Sequence, residues 1–450
     1  MAMTSRQARF AAPFALGIAA SLALAACSST DVEDTPEGSD SPAEPAPSEP
    51  VSITFWSWLP DIQTTVDLFE EAHPDIDVTV ENVGVGQDQY TKIQNAVDAG
   101  TGGPDVAQMT YDAIPNFVLT GALADLTQTG GGDIPEVFLD GVTQLVERDG
   151  SVYGVPQDFG PGVMYYRTDL FEDAGVAVPE TWDEYADAAA ALHAANPDTS
   201  ITFIDPGLAD AAYMGLWQNS SQPWVVDSAT EISVDLGSAP ATEWADYWTT
   251  LNQDGLLVES AMGSDEWFKQ IADGQIATWI VGAWGLQALT GNVPDGEGLW
   301  RVAPQPTWEA GSAASSQFGG SATVVLEQSP VKEAATTFAL WLNSDPVAVE
   351  SLKNDQGLLP TTKAAWSDPT FLDEEIAYLG GQQARQVFAA SAESTTAGWE
   401  WLPYQPYATS VYADTVGQAI ANKTSIADGL AEWQSRIVEY GADQGFTVTE

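Results

Sequence analysis

Between Val51 and Val80 the apolar residues change period twice, and that change restricts the fold more than any other feature of the chain. Ile53 and Phe55 alternate with polar neighbours, as on a half-buried strand. Ile62, Val66 and Phe69 then recur at helical spacing. After Pro74-Asp75 the alternation returns with Ile76, Val78 and Val80. Strand, helix and strand in so short a stretch make a β-α-β unit, which requires a parallel pair joined by a crossover. Tyr90, Ile93 and Val97 carry a second helix that ends at Gly100-Thr101-Gly102-Gly103-Pro104, and 105–109 reads as a further strand. The chain therefore opens as an α/β protein with an open sheet. Ligands of such sheets sit beyond the carboxyl ends of the strands. Here those ends are Trp56-Ser57-Trp58 and Thr110-Tyr111-Asp112, which combine aromatic and polar groups.

Ahead of this unit lies a segment of another kind. Phe10 to Ala26 carries no charge, follows Arg6 and Arg9, and ends in Leu24-Ala25-Ala26 before Cys27. A basic start, an apolar core and small residues before the cut describe a secretory signal peptide over 1–26. Leu-Ala-Ala-Cys resembles a bacterial lipobox. That resemblance implies a lipidated Cys27 at the mature N-terminus and a chain tethered to the extracytoplasmic face of the cell membrane. The alternative is an ordinary secreted protein with an unpaired thiol. The stretch 27–50 is Ser, Pro, Glu, Asp and Ala with almost no large apolar residue, so it reads as a disordered tether. About 400 residues remain, more than one small core accommodates, so two lobes are expected. Cys27 is the only cysteine, which leaves no intramolecular disulfide.

The charge is extreme. Lys+Arg 13 against Asp+Glu 65 gives −52. Such a chain repels nucleic acid and anionic headgroups, and a saline habitat would suit it. The two histidines, His73 and His193, lack partners at metal-ligand spacing, so no metal or other cofactor is expected. Neither a nucleophile elbow nor a phosphate-binding loop is present. With 65 acids a glycosidase-like carboxylate pair carries no weight as a signal. The 17 tryptophans do carry weight, because an indole N–H needs a partner when buried and some rings are expected to serve as stacking platforms.

Several blocks then converge on one family. They include Ile53-Thr54-Phe55-Trp56, Phe69-Glu70-Glu71-Ala72-His73-Pro74, Gly102-Gly103-Pro104-Asp105, and Tyr153-Gly154-Val155-Pro156-Gln157-Asp158 with Met164-Tyr165-Tyr166-Arg167-Thr168-Asp169. Further on come Pro179-Glu180-Thr181-Trp182, Gly282-Ala283-Trp284, Phe318-Gly319-Gly320 and Gly357-Leu358-Leu359-Pro360. In this order they resemble bacterial extracellular solute-binding proteins of ABC sugar importers, of the maltose-binding type. The resemblance implies a type II periplasmic-binding-protein-like α/β fold. Lobe 1 would take 51–160 and 298–345, and lobe 2 would take 161–297 and 346–450. It also implies a hinged cleft that closes on a sugar, a membrane permease with its ATPase as partner, a monomer, and no chemistry by the protein itself. Many aromatics favour a di- or oligosaccharide. A polyamine or peptide ligand, or a glycan-active enzyme or lectin, are the alternatives.

A sugar ring offers an apolar face to an indole and a rim of hydroxyls to carboxylates, amides and backbone. On that logic and on family position, the ligand candidates are Trp58, Asp112, Gln157, Asp158, Trp217, Asn219, Trp284, Gly319, Gly320, Trp399 and Trp401. Trp284 leads them, because it follows an apolar strand and Gly282. Packing is the alternative for each Trp. Asp112 could instead cap the helix before Ile114, Asp158 could cap a turn, and Gly319-Gly320 could be a tight turn. Trp182, after the capping residue Thr181, and the helical Trp244 and Trp248 read as packing. Arg167 reads as half of an ion pair.

Overall fold

The computed structural model describes residues 50–228 and 230–450, so the leader, Cys27 and the tether up to 49 lie outside the described residues. The opening β-α-β unit forms where the periodicity places it. The strand Val51–Trp56 pairs in parallel with Ile76–Glu81, and the helix Gln63–Ala72 crosses between them. Val106–Thr110 adds on the other side, also in parallel, after the helix Gln87–Ala99 terminates at the left-handed Gly100.

The next strand changes the architecture. Val155–Arg167 is thirteen residues long and belongs to two neighbourhoods at once. Its first half pairs antiparallel with Gln317–Val325, which lies beside Val106–Thr110. Its second half pairs antiparallel with Thr278–Gly282 on one edge and Trp300–Pro304 on the other. One strand thus ties an N-terminal lobe to a second α/β lobe. Proline is rare inside sheets because it donates nothing to the ladder. Pro161 is accommodated where Gln317–Val325 slips register, at a bulge containing Gly319 and Gly320 with φ of 77° and 99°. At this crossing the two segments touch. A Cβ on Gly160 would stand 2.0 Å from the Phe318 carbonyl oxygen, so only glycine fits.

Under the first sheet, Phe55 and Phe69 meet Phe338 edge-on at 5.1 and 5.0 Å. Burying each such ring contributes roughly 1.5–3 kcal/mol. The helix Pro346–Gln356 packs on Gln63–Ala72 and Lys332–Ser344, so this stretch stays with the N-terminal sheet. The second lobe has its own cores. One sets Trp267 edge-on to Trp279 at 4.7 Å, and another gathers Trp182, Tyr185 and Leu192. Thr181 caps its helix in a full capping box with Glu184. Trp182 is buried with its N–H donated to Gln218, Trp244 is also buried, and Arg167 pairs with Asp169 at 2.7 Å. No described helix is long and apolar enough to cross a membrane.

Candidate functional site

The strand Val106–Thr110 ends by delivering Tyr111 and Asp112 to the edge of the sheet. Asp112 does not cap the following helix. The N-cap position of Ile114–Leu119 is Ala113, and no side chain caps it. The helix Ala209–Gln218 presents Asp210, Tyr213 and Trp217, three and seven residues apart and therefore on one face. Gln317 to Gly320 form the floor, with Leu145 and Trp401 at the side. Together they line a cavity of about 70 Å³.

Aromatic packing sets one wall. Trp217 stacks on Trp399 at 5.1 Å with the planes 5° apart, and its N–H donates to the Thr396 carbonyl at 2.6 Å. Trp401 stands edge-on to Tyr213 at 5.4 Å and to Trp399 at 5.3 Å. The loop that carries these rings is held by Trp224, which donates to the Glu400 carbonyl, and by the Glu400 carboxylate, which accepts from the Val226 N–H. Trp217 and Trp399 are nearly buried, whereas Trp401 stays half-buried at the rim and its N–H has no protein partner. Leu145 and Trp401 also line an adjoining cavity with Trp399 and Arg148. Gln317 borders a third and larger one, with Trp366 and Lys363.

Its electrostatics are acidic. Burial pushes the Asp112 carboxyl above the usual carboxylate range, against the hydrogen bond from Thr110. Burial, helped by the charge of Asp112, pushes Asp210 up to about 7. Asp158 is pushed up to about 6 by burial, although Ser321 donates to it. No Lys, Arg or His lines the central cavity.

The structure brings Asp112, Trp217, Gly319, Gly320 and Trp401 together around that cavity, with Trp399 next to it. The remaining candidates lie elsewhere. Gln157 is buried between strands, where its amide oxygen accepts from Thr323. Asp158 bonds to Ser321, and its backbone oxygen accepts from Tyr111 at 3.0 Å. Trp58 packs half-buried on the N-terminal core. Asn219 joins two helices, donating to the Pro240 carbonyl at 2.8 Å and to Glu243 at 3.1 Å. Trp284 sits at the lobe crossing with its N–H donated to the Phe318 carbonyl at 2.8 Å. The residues that sequence reasoning passed over are Asp210, Tyr213 and Gln317. The spacing of Asp210, Tyr213 and Trp217 was the available signal for the first two.

Residues 56–349 match the family model described as bacterial extracellular solute-binding protein. An arabinooligosaccharide-binding protein of Halalkalibacterium halodurans is 26% identical over 344 residues, covering 72% of this chain and 75% of that protein. A lactose-binding protein of Rhizobium radiobacter is 24% identical over 360 residues, covering 75% and 81%. Among solved structures, the ABC transporter associated binding protein from B. animalis subsp. lactis Bl-04 in complex with β-1,6-galactobiose superposes with a TM-score of 0.79. It is 31% identical and covers 89% of this chain and 100% of that one. The fold is the two-lobed α/β architecture of type II periplasmic binding proteins.

Proposed function

Since the chain belongs to the bacterial extracellular solute-binding protein family, we propose that it captures a di- or oligosaccharide between its lobes and delivers it to an ABC permease. One observation carries the reading. A single cavity joins an indole at its rim with acceptor groups from the end of the strand Val106–Thr110 and from the helix Ala209–Gln218. Trp401 offers an apolar face to the C–H side of a sugar. Asp112, Asp210 and Gln317 accept from hydroxyls. The positive-φ glycines at 319 and 320 let the backbone approach. Polar groups desolvated there must be paired by the ligand, which is the source of selectivity. The adjoining cavities give room for further sugar units. A ligand touching both walls would favour the closed arrangement, and the permease would read that closure. The protein turns nothing over. It is placed outside the cytoplasm by its leader and held there through acyl chains on Cys27. We assign Trp401, Asp112, Trp217, Gly319 and Gly320 to the binding site, with Trp399 supporting them.

The test is thermal melting of the purified protein against mono- and oligosaccharides, spermidine and peptides. Ligand at about 100 times its Kd adds about 2.7 kcal/mol to stability. A rise in midpoint with one sugar series, and with the sugar recovered intact, is the expected result. A rise with spermidine or peptide alone would replace the sugar reading, and cleavage of an oligosaccharide would replace the receptor.

A further inference from the structure

Asp112 and Asp210 come from elements about a hundred residues apart in sequence and line the same cavity. The first follows the strand Val106–Thr110. The second lies in the first turn of the helix Ala209–Gln218, where the helix dipole would ordinarily favour a carboxylate. The groups around them supply no positive charge. Asp112 faces Thr110 on its own segment, Tyr90 from the helix Gln87–Ala99, and Tyr213 and Asp210 from the helix Ala209–Gln218. Asp210 faces Asp112, Tyr213, and Tyr412 from the helix Gln405–Tyr412. Asp205 also acts on Tyr412, and Asp158 lies near Tyr111 against the floor. The adjoining cavities do carry cations. Arg148 shares its cavity with Glu147 and Glu400, and Lys363 is paired with Asp140 at 2.8 Å. Gln317, which is 6% exposed, lines the same cavity and leaves its amide oxygen without a partner.

Thr110 and two backbone N–H groups donate to Asp112, and one backbone N–H donates to Asp210, but no cation balances the pair, so burial disfavours ionising both at once. We propose that Asp112 and Asp210 act as one acid pair across the cleft, holding a single proton between them when the lobes close on ligand, and that this proton is a determinant of affinity. The proton comes from solvent and gives the pair an O–H donor in a cavity otherwise rich in acceptors, so a sugar hydroxyl can be read as acceptor as well as donor. The inference rests on this cleft being the ligand site. Its sign follows from linkage. The closed state binds the proton more tightly than the open one, where both carboxyls are solvated. Affinity therefore gains as pH falls below about 7 and loses that gain as pH rises through it.

The experiment is calorimetric titration of the full chain with β-1,6-galactobiose and with lactose at pH 5.5, 7.0 and 8.5, in buffers of different ionisation enthalpy. The expected result is close to one proton taken up per sugar at the acid end and affinity about 30-fold higher at pH 5.5 than at 8.5, at tenfold per pH unit below the pair's titration. Asp210→Asn should flatten the profile, and Asp112→Asn should shift it to lower pH, because burial still raises Asp210 without the neighbouring charge. A profile unchanged in both variants would assign the proton to Asp158 or elsewhere and overturn the pair. Equal affinity at all three pH values would overturn it as well. Small-angle scattering of the sugar-free protein supplies a readout that needs no ligand. The wild type should close further at pH 5.5 than at 8.5, by more than Asp210→Asn does. Closure of this kind without any sugar binding would keep the pair and sink the sugar reading. Sugar binding with no pH effect would do the reverse.

Discussion

Two half-buried tryptophans near the lobe boundary, Trp284 and Trp401, show how alike a platform and a wedge look in sequence. Trp284 donates its N–H to the Phe318 carbonyl and stands edge-on to Trp279 and Phe318, both at 5.6 Å. A Cβ on Gly282 would come within 2.6 Å of its ring nitrogen. The glycine beside it therefore clears space for the indole itself, not for a ligand. Trp401 has no partner for its N–H, packs against other rings only by their edges, and lines a cavity. The lesson is that facing a cavity, more than exposure, separates the two roles.

The sharpest way to break that contrast is to truncate both rings. Trp284→Ala should destabilise the fold by about 3 kcal/mol, as a large core truncation does. Chemical denaturation would show this, and the folded fraction should keep its sugar affinity. Trp401→Ala should do the opposite, weakening sugar binding by about 30-fold, or roughly 2 kcal/mol, with little change in the melting midpoint. If titration showed the larger affinity loss in Trp284→Ala, the assignment would be inverted. Asn219→Ala tests the structural side at lower cost. Losing its two bonds across the helix pair should remove about 1 kcal/mol of stability and leave affinity unchanged. The smallest effect concerns the whole surface. Added NaCl should raise the urea midpoint by screening the −52 charge, equally for wild type and all three variants.

How far the chain could be read in advance depended on the range of the interaction. The β-α-β unit, the cap at Thr181 and the ion pair of Arg167 are local, and each formed where the residues indicated. The cavity is not local. Asp210 in a helix's first turn looks like an ordinary N-terminal acid, and only the fold sets it opposite Asp112. Gln157 and Asp158 occupy a conspicuous motif, yet pairing of their strand with Gln317–Val325 turns both toward Thr323 and Ser321. Sequence order likewise gave no sign that the helix Pro346–Gln356 returns to the first sheet's helices.

The strand Val155–Arg167 has a consequence for anyone who would take this molecule apart. Its two halves are rungs of different ladders, so the lobes share a covalent beam and do not meet through a mere linker. A fragment stopping at Gly160 keeps the first half of the beam but forfeits Gln317–Val325, the partner that holds it beside Val106–Thr110. A fragment beginning after it strips Thr278–Gly282 and Trp300–Pro304 of the strand between them. Neither lobe is a separable module, and a reporter or fusion partner belongs at an exposed turn within one lobe, never at the crossing.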